Sequence, residues 1–130
     1  MANLSTIYGE TLNREKPLSE HPNPLFERSK YQMLNGPWDF ALTKSEKRPE
    51  SYHQTIIVPF AVETSLSGIG KEVKADDFMH YRRKFHLGED YLRGFAILHF
   101  DAVDQICDVF LNGERILHHE SGYFPFECLI

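Results

Sequence analysis

Acidic side chains are the residues of this 130-residue chain that could most directly act as acids, bases or ligands. Asp101 and Asp104 flank the end of one predicted strand, and Asp108 lies in the next strand along the chain. Two carboxyl groups held close together can divide the roles of proton donor and proton acceptor. Carboxylates at strand ends, however, more often cap turns or remain solvated. We therefore predict no catalytic residue among them.

The chain also has seven histidines, and histidine is the commonest metal ligand in proteins. His118 and His119 are adjacent, so their side chains point to opposite faces of a strand and are poorly placed to share one ion. His118 and Glu120 would share a face, but they supply only two ligands. The sequence therefore predicts no metal site and implies no cofactor.

A pair of adjacent arginines, Arg82 and Arg83, could clamp a carboxylate of a ligand through bidentate hydrogen bonds. Strand alternation directs the two side chains to opposite faces, which weighs against a joint clamp. Arg83 falls on the apolar side of its strand. We predict that it pairs with a buried acid, for which Asp104 and Asp108 are candidates.

Aromatic side chains could stack on the flat ring of a ligand. Trp38 is in phase with Phe40 and Leu42, which favours packing in the core. The sequence leaves open which of Tyr123 and Phe124 faces solvent. It also leaves open whether the solvent-facing ring contacts a further domain.

Short segments of alternating apolar residues, separated by turns, predict the strands that position these side chains. The strands are predicted in the stretches WDFAL, TIIV, HYRRKFHL, GFAILHF, VFL and RIL, with a further strand from Glu127. Asn112-Gly113 is the strongest hairpin signal, because a type I′ turn requires positive φ at both central positions. Phe95 and Ile97 begin a second apolar face, so we predict that their strand is buried on both sides at its start. The long connection from Ala61 to Phe78 favours a jelly-roll β-sandwich over an up-and-down barrel, and the predicted fold class is all-β.

Composition and charge argue against several classes of protein. The net charge of −5 provides no basic face for nucleic acid or an anionic membrane, and the apolar share of 42% is ample for a core. The N-terminal residues lack the apolar h-region of a signal peptide. The longest apolar segment, IIVPFAV, is far shorter than the roughly 20 residues that span a bilayer. We therefore expect a cytoplasmic protein with free thiols at Cys107 and Cys128.

Four motifs, taken in order, give the chain a family resemblance. They are NPLFERSKYQMLNGPWDFAL, VPFAVETSLSGIG, HYRRKFHL and LHFDAVDQICDVFLNGERILHHESGYFPFE. Together they resemble the N-terminal sugar-binding-type jelly-roll domain of glycoside hydrolase family 2, from about Pro22 to Glu127. That family contains β-galactosidases, β-glucuronidases and β-mannosidases.

The resemblance implies an incomplete domain of a larger β-glycosidase. Residues 1–21 would form an extended N-terminal arm that ends in the His21-Pro22-Asn23-Pro24 segment. Residues 22–130 would form a jelly roll that is incomplete at its C-terminus. The linking β-sandwich and the catalytic barrel, which carries both catalytic glutamates in the family, would be absent, so this segment should be inactive alone. Its partner would be carbohydrate in the context of the full enzyme, with no nucleic acid and no membrane. The alternatives are a stand-alone carbohydrate-binding module and a protein-interaction domain without a sugar site.

The resemblance also singles out particular residues. In several family members the loop before the HYRRKF strand supplies a polar contact to the sugar, which makes Asp76 and Asp77 the candidate substrate-binding residues. An exposed loop acid without a ligand is the alternative. Ser121 to Phe126 correspond to a family turn in which Gly122 permits the bend. A jelly roll without its last strands would expose unpaired strand edges, so we expect self-association through them.

Overall fold

The computed structural model of the chain describes residues 6–20, 28–89, 91 and 94–130. Seven strands account for most of its regular structure, and every sheet is antiparallel. The predicted all-β fold class is confirmed. Within the described ranges, no helix is long and apolar enough to cross a membrane. The His21-Pro22-Asn23-Pro24 segment of the predicted arm lies outside the described residues.

The chain divides into two compact units, Met1–Lys84 and Phe85–Ile130. The elements of the first unit are α1 (Ile7–Glu10), β1 (Gly36–Thr43), β2 (Gln54–Val58), a 3-10 turn (Ser65–Ser67) and β3 (Phe78–Arg82). β1 is the central strand of a three-stranded sheet in the order β2-β1-β3. The predicted extended arm contains one helical turn, α1, because the Thr6 hydroxyl caps it by accepting a hydrogen bond from the Gly9 N–H at 3.2 Å.

The core of the first unit forms on one face of this sheet. Phe40, Ile56 and Val62 are 0%, 0% and 2% exposed, and half-buried Trp38 and Leu42 pack against them. The alternation of Trp38, Phe40 and Leu42 along β1 places all three on this face, as the sequence predicts. Trp38 is therefore a core residue, and its indole N–H donates to the Leu34 carbonyl at 2.7 Å.

Arg83, just after β3, holds the segment that leads into β1. Its Nη1 shares two N–H groups among the carbonyl oxygens of Leu34, Asn35 and Pro37, at 3.0, 3.2 and 3.3 Å. The prediction that Arg83 pairs with a buried acid is therefore wrong. A guanidinium has five donors in a fixed fork, and here converging backbone carbonyls rather than a carboxylate accept hydrogen bonds from Nη1.

The second unit contains two antiparallel ribbons. Its strands are β4 (Ile97–Phe100), β5 (Ile106–Leu111), β6 (Glu114–Glu120) and β7 (Phe126–Leu129), with β4 paired to β7 and β5 paired to β6. The β5–β6 turn has φ of 51° at Asn112 and 94° at Gly113. The predicted hairpin is confirmed, including the positive φ at both central residues.

The start of β4 differs from the prediction. Phe95 is 85% exposed and Ile97 is 48% exposed, so the prediction that this strand is buried on both sides is wrong. Leu98 and Phe100, on the opposite face, are half-buried. The second apolar face predicted from the sequence exists, but no described residue covers it sufficiently to bury it.

Candidate functional site

The Lys44 cluster, defined as Lys44, Asp76 and Asp77, lies where β1 ends and β3 begins. The antiparallel register pairs Thr43 with Phe78, which brings the residue after β1 to the residues before β3. Lys44 Nζ lies 2.7 Å from Asp76 Oδ1 and 2.8 Å from Asp77 Oδ1. The structure therefore brings both predicted substrate-binding residues together around one ammonium group.

The two aspartates of the Lys44 cluster have different surroundings. The Asp77 side chain is 8% exposed, and its Oδ2 accepts a hydrogen bond from the Lys74 N–H at 2.8 Å. The hydrogen bond from Lys44, reinforced by that N–H, lowers the pKa of Asp77. The Asp76 side chain is 73% exposed. Asp77 thus secures the turn, while Asp76 presents its carboxylate to solvent.

The Lys44 cluster is suited to binding rather than to acid–base chemistry. The Oδ1 atoms of Asp76 and Asp77 both contact Lys44 Nζ, at 2.7 and 2.8 Å. The distance between these two oxygens therefore cannot exceed the sum of those two distances. Retaining glycosidases hold two carboxyl groups at about that distance, but one of them must keep a proton through a raised pKa. Lys44 has the opposite effect on Asp77, and the hydrogen bonds that Lys44 donates to Asp76 and then Asp77 raise the pKa of Lys44. The cluster can accept hydrogen bonds from hydroxyl groups.

Further polar and aromatic groups border the Lys44 cluster. His80 Nε2 lies 3.0 Å from Thr43 Oγ1 and 3.0 Å from the Ser45 carbonyl oxygen. Phe78, next to Asp77, is 40% exposed. Nothing in the sequence links Lys44 and His80 to this cluster, because they lie more than 30 residues apart and the β1–β3 register brings them together.

The hairpin cluster, defined as Asp108, Arg115, His118 and Glu120, lies on the β5–β6 ribbon. His118 Nδ1 is 2.8 Å from Asp108 Oδ1, and its Nε2 is 3.1 Å from Glu120 Oε1. Arg115 Nη1 is 3.4 Å from the same Asp108 oxygen. The predicted opposite facing of His118 and His119 is confirmed, because His119 instead stacks on Phe126 at 4.1 Å between ring centroids. Carboxylates only accept hydrogen bonds, so the geometry suits the doubly protonated imidazolium of His118.

We expect the hairpin cluster to make the stability of the chain depend on pH. Hydrogen bonds to Asp108 and then Glu120 raise the pKa of His118 above its usual 6.5. A group whose pKa is raised by folding stabilises the folded state fully below its unfolded pKa and loses that effect as pH rises through the folded pKa. The melting-temperature difference between the wild type and His118→Gln should therefore be largest below pH 6.5 and should shrink at alkaline pH. A difference that grows with rising pH would contradict this.

The surroundings of the two thiols disfavour the thiolate form. Cys107 and Cys128 are both free, as predicted. Burial raises the pKa of both thiols, and the charge of Asp108 adds to the effect at Cys107. A raised pKa lowers the fraction of thiolate, which is the nucleophilic form. Across the described ranges, no group of three or more His, Cys, Asp or Glu side chains could hold a metal ion.

The aromatic turn, residues 121–126, places its aromatic side chains in two environments. Tyr123 and Phe124 are 94% and 68% exposed. Phe126 instead packs inside the second unit, with its ring centroid 4.7 Å from that of Phe100 and stacked on His119. Both residues whose exposure the sequence left open therefore face solvent.

Gly122 lies where the exposed side chain of Asp104 approaches the aromatic turn. A Cβ atom at this position would collide with the carboxylate of Asp104. The φ of Gly122 is not in the positive region, so the bend itself does not require glycine. Asp104, one of the strand-end acids in the sequence analysis, thus packs against the turn, which is a structural role.

Comparison with known proteins relates the chain to glycosidases. It is 32% identical over 78 residues to a β-galactosidase of Thermoanaerobacter pseudethanolicus, covering 60% of this chain and 10% of that protein. It is 36% identical over 50 residues to a β-galactosidase of Thermoanaerobacterium thermosulfurigenes, covering 38% of this chain and 7% of that protein. No protein-family profile matches the chain. The matches are weak and partial, they span a tenth or less of the relatives, and they support a glycosidase-related origin.

Proposed function

We propose that this chain is a non-catalytic domain of a β-glycosidase, equivalent to the N-terminal jelly roll of glycoside hydrolase family 2. Its role is to support the catalytic barrel and to lend the loop with Asp76 and Asp77 to the substrate pocket. The parent reaction is hydrolysis of a β-linked O-glycosidic bond, in a β-galactoside or a β-glucuronide. The observation that carries the proposal is the similarity to a β-galactosidase over 60% of the chain.

The geometry of the Lys44 cluster supports a role in binding sugar hydroxyl groups. Lys44 fixes Asp76 through Oδ1 only, and the carboxylate remains 73% exposed, so its second oxygen can accept a hydrogen bond from a hydroxyl. Asp77 holds the turn through Lys74 and Lys44, which limits the orientations of Asp76. A carboxylate that is oriented before binding loses less conformational entropy when a ligand arrives.

A chimera tests this proposal. The chain would replace the aligned segment of the Thermoanaerobacter pseudethanolicus β-galactosidase, and hydrolysis of an aryl β-galactoside would be measured. We expect an active chimera and no activity from the chain alone. Asp76→Asn in the chimera should raise KM by roughly tenfold, because a hydrogen bond to a charged group contributes about 1.5–3 kcal/mol.

Glu72→Gln is the matched control for Asp76→Asn, since Glu72 is an exposed acid of the same loop. It should leave KM unchanged. Equal effects of the two substitutions would count against the role of Asp76 while leaving the domain assignment in place. Hydrolysis by the 130-residue chain alone would overturn the assignment itself.

A second candidate function is a carbohydrate-binding module without chemistry, and the exposure of the aromatic turn favours it. Tyr123 and Phe124, at 94% and 68% exposed, present rings on which a sugar could stack. Titration of the chain with a panel of glycans separates the two candidates. Sub-millimolar binding that Tyr123→Ala abolishes would support the module.

A further inference from the structure

His80 lies beside the Lys44 cluster, on the face of the β1–β3 pair opposite Phe40. The register places Ala41 opposite His80, and Thr43 lies two residues farther along β1. Because side chains alternate along a strand, Ala41, Thr43 and His80 share one face of the sheet. Ala41 carries only a methyl group, so the imidazole can lean along the sheet towards its diagonal neighbour Thr43, as long side chains in antiparallel sheets do.

His80 is a hydrogen-bond donor through Nε2. That nitrogen lies 3.0 Å from Thr43 Oγ1 and 3.0 Å from the Ser45 carbonyl oxygen. A carbonyl oxygen only accepts hydrogen bonds, so the contact with Ser45 requires a proton on Nε2. The neutral Nε2–H tautomer and the imidazolium both carry that proton, so His80 donates this hydrogen bond in either protonation state.

The two residues that accept from His80 flank Lys44 in the chain. The Thr43 hydroxyl also donates to the Ser45 carbonyl oxygen at 2.8 Å and accepts from the Ser45 N–H at 3.3 Å. His80 ties this bend to β3, the strand that directly follows Asp77. Beyond the last register pair of β1 and β3, these hydrogen bonds set where the Lys44 backbone lies relative to the two aspartates.

Lys44 depends on such support because its ion pairs lie in solvent. The Lys44 side chain is 58% exposed and the Asp76 side chain is 73% exposed. An exposed ion pair contributes little to stability, partly because holding two flexible side chains in one geometry costs conformational entropy. A backbone that is fixed on both sides of Lys44 lowers that cost, since fewer orientations are lost when Nζ contacts both carboxylates.

We propose that His80 is a positioning residue for the Lys44 cluster. Its Nε2–H holds the bend from Thr43 to Ser45 so that Lys44 Nζ reaches both aspartates and orients the carboxylate of Asp76. The consequence for sugar binding rests on the proposed function, whereas the positioning itself does not.

Two substitutions at His80 distinguish positioning from simple packing on the sheet. Glutamine places its amide nitrogen about where Nε2 lies in histidine, while the shorter asparagine places its amide nitrogen nearer to Nδ1. His80→Gln therefore keeps the donor, and His80→Asn and His80→Ala lose it. Positioning requires this one donor, so only the glutamine variant should behave like the wild type.

Competitive acetylation of the chain at neutral pH tests the positioning without any sugar. The neutral amine is the form that reacts, and the hydrogen bonds that Lys44 donates to Asp76 and then Asp77 raise the pKa of Lys44 and so deplete that form. His80→Asn and His80→Ala should speed acetylation of Lys44, relative to exposed Lys71, by roughly two- to fivefold, the effect of losing an exposed ion pair. His80→Gln should keep the wild-type ratio, which mass spectrometry of the peptides measures.

His53→Ala is the matched control for the substitutions at His80. His53 is an exposed histidine of the same unit, and its Nε2 lies 2.7 Å from Ser51 Oγ. The control should leave the acetylation ratio of Lys44 unchanged, and circular dichroism must show the same β content for every variant compared. An unchanged ratio in His80→Asn, or equally fast acetylation in His80→Asn and His80→Gln, would overturn the proposal.

The chimera with the β-galactosidase barrel provides the second readout. His80→Ala should raise KM there by roughly threefold, again the effect of an exposed ion pair, and leave kcat unchanged. Since His80 acts through Asp76, the double variant His80→Ala with Asp76→Asn should raise KM no more than Asp76→Asn alone. Additive effects would overturn the proposal. If Asp76→Asn leaves KM unchanged while His80→Asn still speeds acetylation, the sugar contact of the proposed function fails and the positioning of Lys44 by His80 stands.

Discussion

Phe40→Ala is expected to lower the free energy of unfolding of the first unit by about 3–5 kcal/mol, the usual range for a buried phenylalanine. Phe40 is 0% exposed and lies between Ile56 and Val62 on the core face of β1. Its ring meets that of Tyr81 edge-on, with centroids 5.1 Å apart. Truncation removes this contact and leaves a cavity at the centre of the sheet. Urea denaturation followed by circular dichroism measures the change.

A loss of this size has consequences beyond the core. Small domains are stable by only about 5–15 kcal/mol, so Phe40→Ala could unfold a large fraction of molecules. The Lys44 cluster depends on the β1–β3 pairing that Phe40 anchors through its register partner Tyr81. Phe110→Ala provides the control, because Phe110 is 60% exposed and the substitution should change stability by less than about 1 kcal/mol. Equal losses from both substitutions would contradict the assignment of Phe40 as the central core residue.

Local patterns in the sequence predicted those parts of the fold that depend on neighbouring residues. The alternation of Trp38, Phe40 and Leu42 gave the core face of β1, since strand side chains have a period of two. The Asn112-Gly113 turn gave the hairpin and its positive φ values, because few residue pairs adopt that conformation. In both cases the determining physics acts over a few residues.

Contacts between distant segments could not be predicted in the same way. The position of Arg83 on the apolar side of its strand predicts a buried ion pair, but its Nη1 donates to backbone carbonyls 46 to 49 residues away. Lys44 joins Asp76 across 32 residues, which depends on the β1–β3 register. The apolar character of Phe95 predicts burial, but this residue is 85% exposed. Apolar atoms also make up much of the exposed surface of folded proteins, so apolar character alone does not predict burial.

Gly36→Ala is the second substitution for which we expect a large effect, a loss of about 2–5 kcal/mol from backbone strain and overpacking together. Gly36 begins β1 with φ of +119°, which residues with a Cβ atom rarely adopt. An added Cβ would also lie 2.7 Å from the Glu15 carbonyl oxygen and 3.4 Å from Arg83 Nη1. The backbone at Glu15 cannot move aside without shifting the segment that contains the buried Pro17.

Gly70→Ala separates the two contributions to the Gly36 effect. Gly70 has φ of +61°, but an added Cβ would find nothing within 4 Å. Gly70→Ala should therefore lower the free energy of unfolding only through backbone strain, by about 1–2 kcal/mol for a residue in the left-handed region. The difference between the two variants in thermal or urea denaturation then measures how tightly the N-terminal segment packs on the start of β1. If Gly36→Ala lowered the free energy of unfolding no more than Gly70→Ala does, the segment at Glu15 would have to be free to move away. Its packing against the sheet would then contribute little to stability.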